Sequence, residues 1–122
     1  MITGIIVFAH GSRIEPANQA VRSVAAEFAR AGGYQHVEAA FLEFGHPNLE
    51  EAASLLAAQG AERILVIPYF LTLGVHLERD LPRLIEDIYN KYSGLQISVT
   101  PPLDGHPGLV EILQARATAA LG

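Results

Sequence analysis

The feature that most constrains the fold is the spacing of the hydrophobic residues, which alternates four times between a short apolar run and a helical period. The apolar runs predict four strands, at Gly4–Ala9, His36–Phe44, Arg63–Leu71 and Leu95–Val99. A segment with helical spacing follows each run: Ala17–Ala31, Pro47 to Gly60, a third from Asp80, and a fourth from Pro107. Strands that alternate with helices over short connections indicate a parallel sheet with helices on both faces.

The first strand, GIIVFA, is continuously apolar, as in strands that are covered on both faces. Right-handed crossovers leave few topologies, and the flavodoxin-like strand order 2-1-3-4 is the one we expect. The predicted architecture is therefore an α/β three-layer sandwich around a four-stranded parallel sheet, forming one domain over residues 1–122. In such sheets ligands bind beyond the carboxyl ends of the strands, where neighbouring connections leave in opposite directions.

Several helix boundaries follow from local signals. The first helix should end at Gly32-Gly33, because glycine accepts the left-handed conformation of a C-cap. Pro68 should lie near an edge, a bulge or the end of its strand, and Leu73–Arg79 is expected to be a loop before Asp80 caps the third helix. The apolar stripe of the first helix is predicted from its spacing: Ala17, Ala20, Val21, Val24, Ala25 and Phe28. The last helix carries Leu109, Val110, Ile112 and Leu113.

Composition excludes several functions. The chain has no cysteine, which rules out disulfides, zinc-thiolate sites, iron–sulfur clusters and thiol nucleophiles. Its net charge of −5 argues against a nucleic-acid partner, since such proteins bind phosphate through a basic surface. No apolar stretch approaches the roughly 20 residues that span a bilayer. With no targeting segment recognised, we expect a cytoplasmic protein without a membrane partner.

The first candidate site is His10-Gly11-Ser12-Arg13, directly after the first strand. His10 leaves the sheet at the edge where the fold binds ligands. Gly11 allows a tight turn and close approach of a ligand, while Ser12 and Arg13 add a hydroxyl and a fixed charge. No P-loop and no G-x-G-x-x-G follows this strand, so the pattern does not predict a nucleotide site.

The second candidate is His76, which follows the third strand in Leu71-Thr72-Leu73-Gly74-Val75-His76. Strands one and three are neighbours in the predicted order, with their axes about 4.8 Å apart. We therefore expect His10 and His76 to emerge at one edge, close enough to share an ion or a substrate. Neutral imidazole is the commonest metal ligand in proteins, and histidine also exchanges protons near neutral pH.

Glu43 and His46 complete the candidates at this edge. Glu43 stands among apolar residues near the end of the second strand, where it is either a ligand or proton acceptor, or an edge carboxylate that faces water. His46 precedes a helix and is either a contact for an anionic substrate or a structural residue. His36, at the opposite edge, and His106, after the outer strand, are interpreted as structural.

These motifs are similar to one known family. The chain resembles the short-form sirohydrochlorin cobaltochelatases of the CbiX type, within the class II chelatases. The matching segments are Ala9-His10-Gly11-Ser12-Arg13, Ala40-Phe41-Leu42-Glu43 with Pro47, Gly60-Ala61-Glu62-Arg63-Ile64, Ile67-Pro68-Tyr69-Phe70-Leu71 with Gly74-Val75-His76, Asp80-Leu81-Pro82, and Pro102-Leu103 with Gly105-His106-Pro107.

The resemblance implies that a divalent metal is inserted into sirohydrochlorin without ATP and without an organic cofactor. By position, His10 resembles the proton acceptor and metal ligand, His76 the second ligand, and Leu71–His76 the loop that contacts substrate. His46 holds the place of a substrate contact that is often glutamate in the family. Co²⁺ is the expected metal, with Fe²⁺ or Ni²⁺ as alternatives, because imidazole suits all three.

Size and charge lead to two further expectations. Longer chelatases of this class enclose one cleft between two such domains, so a homodimer with both histidine pairs facing a shared cavity is expected here. Sirohydrochlorin carries many carboxylates and this chain is acidic, so positive charge must be local, at Arg13 and Arg79. Two alternatives from other classes are a metal or tetrapyrrole carrier without turnover, and an inactive interaction module.

Overall fold

The computed structural model describes all residues from 1 to 122 as an alternation of four strands and four helices. In chain order the elements are β1 (Thr3–Ala9), α1 (Glu15–Gly32), β2 (Val37–Phe41), α2 (Leu49–Ala58), β3 (Arg63–Pro68), α3 (Gly74–Lys91), β4 (Gln96–Val99) and α4 (Pro107–Leu121). All strand pairs are parallel and the order across the sheet is β2-β1-β3-β4. The predicted fold class and strand order are confirmed.

The sheet separates two apolar clusters. The larger cluster lies under α2 and α3, where Ile6, Phe8 and Val66 from the central strands are almost fully buried against Leu56 and Leu81. The smaller cluster lies under α1, where Val7, Ala39 and Phe41 pack against Ala25. The central strand β1 is buried on both faces, as its unbroken apolar sequence predicts.

The end of α1 and the start of α2 follow local capping chemistry. Gly33 adopts φ +69° and closes α1, as predicted. α2 begins at Leu49 and not at Pro47, because the Asn48 side chain accepts the backbone N–H of Glu51 while the Glu51 carboxylate accepts the backbone N–H of Asn48. This reciprocal pair satisfies donors that a helix start leaves free.

Three strands are shorter than predicted, β4 by its first residue alone, since it begins at Gln96 and not at Leu95. β2 ends at Phe41 and not at Phe44. Phe44 has a positive φ of 58°, which a β-strand does not accommodate. Glu43 therefore lies in the loop after β2. β3 ends at Pro68 and not at Leu71, which agrees with the expectation that this proline marks a strand end.

The loop predicted for Leu73–Arg79 is wrong. α3 begins at Gly74, so Asp80 lies within the helix instead of capping it, and His76 lies in the first turn. The apolar stripe extends ahead of Pro82, because Leu77 is buried beside Leu81. Pro82 is exposed, and water can satisfy the carbonyl of Glu78 that its missing N–H leaves without a helical partner.

Two predicted apolar helix faces are not covered. Of the α1 stripe, Ala17, Ala20 and Val24 are exposed, and Asn18 is buried in their place. In α4 no residue is buried, and residues 110–121 are all exposed. None of the four helices is long and apolar enough to cross a membrane.

Candidate functional site

The carboxyl ends of β1 and β3 open on a cavity of about 340 Å³. Both predicted histidines line it, His10 directly after β1 and His76 in the first turn of α3. The lining residues are His10, Leu42, Phe70, Thr72, Leu73, His76, Leu77 and Asp80. The structure thus brings together the two histidines that the strand order predicted to be neighbours.

Three groups surround the ring of His10. Its ring meets Phe70 edge to face, with 6.3 Å between ring centroids, and Nδ1 lies 3.2 Å from the carbonyl of Gly11. A carbonyl only accepts, so this contact requires the proton on Nδ1. Nε2 lies 3.6 Å from Glu43 Oε1, and it carries the lone pair when the ring is neutral with its proton on Nδ1.

Gly11 is required where it stands. Its φ is +92°, and a Cβ atom added there would lie 1.7 Å from the carbonyl oxygen of Glu43. The backbone of Glu43 also donates its N–H to the carbonyl of His10 at 3.0 Å. The absence of a side chain at Gly11 therefore allows the His10 and Glu43 loops to touch.

Asn18 joins the two loops and was not predicted as a site residue. It is 1% exposed, accepts the backbone N–H of Ser12 through Oδ1, and donates through Nδ2 to the carbonyls of Ser12 and Phe44. The sequence signal that could have identified Asn18 is its position. It lies seven residues before Ala25 and therefore on the same face of the helix. A polar residue on a buried face needs partners, and here the partners are the site loops.

The outer rim of the site combines one free cation with exposed apolar side chains. Arg13 lies over the ring of Phe44, 4.6 Å from its centroid, and forms no ion pair. Leu71 and Val75 are both largely exposed beside the cavity. This rim suits a ligand with a broad apolar face and peripheral negative charge.

His76 has a different hydrogen-bond partner from His10. Its Nδ1 lies 3.4 Å from Nη2 of Arg79, whose guanidinium also lies 3.3 Å from Asp80. Because a guanidinium only donates, Nδ1 of His76 is the acceptor and Nε2 carries the proton of the neutral ring. An ion could bind Nδ1 only after Arg79 moves, or Nε2 after the proton changes nitrogen.

His46 does not line the cavity of His10 and His76. Its Nδ1 lies 2.9 Å from Glu51 Oε1, at the start of α2, and its side chain is 82% exposed. Hydrogen bonds from the backbone of Asn48 and then from His46 lower the pKa of Glu51 below its usual value. The contact gives His46 a structural partner in this conformation.

The remaining histidines have structural partners, as interpreted from sequence. His36 contacts Gln59 with 2.8 Å between Nδ1 and Oε1, near the amino-terminal edge of the sheet. His106 caps α4, since its Nδ1 accepts the backbone N–H of Gly108 at 2.8 Å.

The protein alone does not form a closed metal cage. No three side chains among histidine, aspartate and glutamate converge closely enough to hold one ion. Two imidazoles on one cavity would leave most coordination positions of a metal open to a second molecule. That arrangement suits an ion in transit more than a resident one.

The fold and this edge define a three-layer α/β protein with a histidine pair at the switch point of its sheet. The chain belongs to the CbiX family, whose model matches residues 4–120. The predicted family is thereby confirmed.

Two curated relatives and one solved structure are similar to it. The chain is 36% identical over 113 residues to the chloroplastic sirohydrochlorin ferrochelatase of Arabidopsis thaliana, covering 93% of this chain and 50% of the relative. It is 32% identical over 118 residues to the sirohydrochlorin cobaltochelatase of Sulfolobus acidocaldarius, covering 97% and 92%. The sirohydrochlorin chelatase SirB from Bacillus subtilis subspecies spizizenii in complex with cobalt superposes with a TM-score of 0.86 at 28% identity, covering 98% of this chain and 51% of SirB. This chain thus spans about half the length of two relatives and almost all of the third.

Proposed function

We propose that this chain is a metal chelatase of the lyase type, which inserts a divalent ion, with Co²⁺ first, into sirohydrochlorin during tetrapyrrole (cobalamin) biosynthesis. The observation that carries the proposal is the pair His10 and His76 on one cavity at the sheet edge. The relatives support the substrate, since two are named for sirohydrochlorin with iron or cobalt. No ATP and no organic cofactor are required.

The chemistry needs three events. The ion must shed water, two pyrrole N–H protons must leave the ring, and the ring nitrogens must replace the released ligands. Two imidazoles hold the ion with open positions toward the ring, while a nearby base accepts a proton. No electron transfer is involved, so a site without cysteine is sufficient.

His10 is suited to be ligand and proton acceptor in turn. Its Nδ1–H is directed at the carbonyl of Gly11, which leaves Nε2 free to bind the ion first. As the ion passes to the ring nitrogens, the same atom accepts one pyrrole proton, and the second leaves to water through the exposed carboxylate of Glu43. Glu43, 3.6 Å away, then stabilises the imidazolium as an ion pair.

His76 completes the ion's protein ligands and Arg79 acts beside it. When the ion binds His76, Nη2 of the guanidinium loses its contact with Nδ1 and can meet a substrate carboxylate, while Nε stays beside Asp80. Arg13, which forms no ion pair, supplies a second cation at the rim. These two arginines supply local positive charge on a chain with a net charge of −5.

The remaining substrate contacts come from two loops. Ser12 accepts the N–H of Ile14 through Oγ and keeps its own hydroxyl proton for a ligand. The loop from Leu71 to Val75 presents apolar side chains to the face of the macrocycle. His46 lies outside the cavity of His10 and His76. Because one copy provides a single open cavity, we propose a cytoplasmic homodimer in which two such edges enclose the ring.

The test is incubation of the purified protein with sirohydrochlorin and each of Co²⁺, Fe²⁺ and Ni²⁺, with the ring absorption followed over time. Metallation that is catalytic, with many rings converted per chain, supports a chelatase. A spectrum that stops changing at one equivalent would instead identify a carrier. Wild-type rates equal to the protein-free rates with all three ions would reject the proposal.

A second candidate metal has a specific observation in its favour. The Arabidopsis relative, at 36% identity, is named a ferrochelatase, which makes Fe²⁺ for a sirohaem-type product the alternative to Co²⁺. The cavity offers imidazole and carboxylate donors, and these bind both ions. The relative initial rates in the assay above decide between them.

A further inference from the structure

The loop after β2 holds a bulky residue in a conformation that glycine usually occupies. Phe44 has a φ of 58° and is the only residue other than glycine in the chain with a positive φ. In this region the Cβ atom of an aromatic residue crowds the following carbonyl oxygen, so the conformation persists only where the surrounding structure fixes it. Strain of this kind is concentrated at functional sites, which makes the Phe44 side chain a candidate for a role there.

Buried contacts fix the backbone of Phe44. Nδ2 of Asn18, a residue that is 1% exposed, donates to the carbonyl of Phe44 at 2.9 Å. At the next residue, a Cβ atom added to Gly45 would lie 2.9 Å from Cγ of Phe41 and 3.1 Å from Nδ2 of Asn18. The loop therefore packs tightly against the end of β2 and the start of α1, and the fold sets the conformation of Phe44.

The side chain of Phe44 is not buried by these contacts. It is 47% exposed and packs on neither apolar cluster. Its ring instead contacts Arg13, whose guanidinium carbon lies 4.6 Å from the ring centroid. The strained backbone thus presents an aromatic ring at the surface, where the core does not require it.

Arg13 contacts this ring and has no polar partner in the chain. It forms neither an ion pair nor a side-chain hydrogen bond, although the chain carries 13 acidic residues. A guanidinium that stacks through its face keeps its N–H groups in its own plane, where they can meet both oxygens of a carboxylate. The stacked pair is therefore a preformed group for binding a carboxylate of another molecule.

The pair lies beside the proposed reaction centre. Phe44 follows Glu43, whose carboxylate lies 3.6 Å from Nε2 of His10, and Arg13 is three residues after His10 in the same loop. The two loops touch where the backbone N–H of Glu43 donates to the carbonyl of His10 at 3.0 Å. A macrocycle whose nitrogens approach His10 extends past the cavity, so its peripheral carboxylates come within reach of this rim.

We propose that Phe44 is a positioning residue for substrate recognition, whose ring holds Arg13 in the orientation that binds a peripheral carboxylate of the tetrapyrrole. A strained, half-exposed aromatic ring stacked on an unpaired guanidinium carries this inference. It rests on the proposed function, because the ligand is the ring of that reaction. It adds the residue that orders the charge contact on the α1 side of the cavity, opposite Arg79 on α3.

Ordering before binding gives a physical reason to retain the strain. An exposed arginine side chain has many rotamers, and fixing them when a ligand binds lowers affinity. Stacking on Phe44 restricts the guanidinium in advance, so less ordering remains for the substrate to impose. Because neither residue touches the ion or the pyrrole nitrogens, the effect belongs to affinity and not to the chemical step.

The first test measures the affinity of the metal-free protein for sirohydrochlorin through quenching of the ligand's fluorescence. We expect Arg13→Gln to weaken binding on the order of tenfold, since a charge-assisted hydrogen bond is lost. Phe44→Asn should weaken it about fivefold, because the guanidinium is no longer stacked, while Phe44→Tyr keeps a ring and should bind like the wild type. The matched controls are Arg63→Gln, at the amino-terminal start of β3, and Tyr89→Asn, an exposed aromatic position on α3. Both should bind like the wild type.

The second test separates positioning from a structural role. Asparagine accepts the left-handed conformation more readily than phenylalanine, so Phe44→Asn should melt at or above the wild-type temperature. If the ring acts through Arg13, adding Phe44→Asn to Arg13→Gln should not weaken binding further. In Co²⁺ insertion, both single variants should raise KM for sirohydrochlorin and leave kcat unchanged.

Three results would overturn this inference alone, provided that the wild type still inserts the metal. They are wild-type affinity in folded Phe44→Asn, wild-type affinity in folded Arg13→Gln, and a double variant whose losses add fully, since Phe44 would then act independently of Arg13. A lower melting temperature of Phe44→Asn with unchanged affinity would identify a structural residue and would also overturn it. A wild type that neither binds nor metallates sirohydrochlorin would overturn the proposed function as well.

Discussion

At the residue scale, hydrogen-bond partners distinguish histidines that the sequence presents alike. His10 and His76 follow neighbouring strands, yet Nδ1 of His10 contacts the carbonyl of Gly11 while Nδ1 of His76 contacts Arg79. His36 and His106 were separable by position alone, because one lies at the wrong edge and the other after the outer strand. The partners of His46 could not be predicted, since they depend on how α2 is capped.

Asn18 shows what pattern analysis overlooks at this scale. The apolar residues around Asn18 dominate the helical pattern, so its burial could not be predicted from that pattern. One of its partners, Ser12, lies before the start of α1, and the other, Phe44, is distant in sequence. The hydrophobic period correctly identified the helix but gave the wrong centre for its buried face. Only the position of the two site loops explains why an amide is buried there.

We predict that Asn18→Ala lowers the free energy of unfolding by about 2 kcal/mol, because it leaves the Ser12 N–H and the Phe44 carbonyl without partners. Ser23→Ala, on the exposed side of the same helix, should change stability by less than about 0.5 kcal/mol. Urea unfolding of both variants measures the difference. Equal midpoints would show that the Asn18 network does not hold the loops.

At the scale of elements, periodicity identified all eight, and errors occurred where two signals competed. Asp80 followed by Pro82 is a typical helix start, but burial of Leu77 extends α3 back to Gly74. Phe44 continues an apolar run, but its positive φ ends β2 earlier. Local capping signals cannot report packing against a distant strand, so these boundaries required the tertiary structure.

The start of α2 gives a prediction with a defined pH dependence. Hydrogen bonds lower the pKa of Glu51 in the folded state below its ordinary value of 4.5, so its ionised form stabilises the fold above that value. This contribution is lost as the pH falls through the lowered folded pKa. Glu51→Gln should therefore lower the melting temperature at pH 7, and the difference from wild type should shrink below about pH 4.5.

The matched control is Glu86→Gln on α3, an exposed glutamate without an ion-pair partner. Its melting temperature should follow that of the wild type at every pH. Thermal scans from pH 3 to pH 7 compare the three proteins. A Glu51→Gln difference that stayed constant through this range would contradict the capping role of the ionised carboxylate.

At the scale of the whole molecule, the length of the chain and its fold both favour the proposed dimer. One copy provides a histidine pair on an open cavity and a last helix without a buried residue. Relatives of about twice this length contain the matched domain in half of their chain. Because the chain has no cysteine, histidines and carboxylates are the side chains left to bind a metal, and the strand order brings two of the five histidines to one edge.

The central claim is that His10 and His76 together deliver the ion to the ring. The most direct measurement is the rate of Co²⁺ insertion into sirohydrochlorin by His10→Ala and His76→Ala, with His36→Ala as the control at the opposite edge. We predict that the first two fall to the protein-free rate, since each loses a ligand and His10 also loses the proton acceptor, while His36→Ala stays within about twofold of wild type. Wild-type rates in folded His10→Ala or His76→Ala would contradict the account.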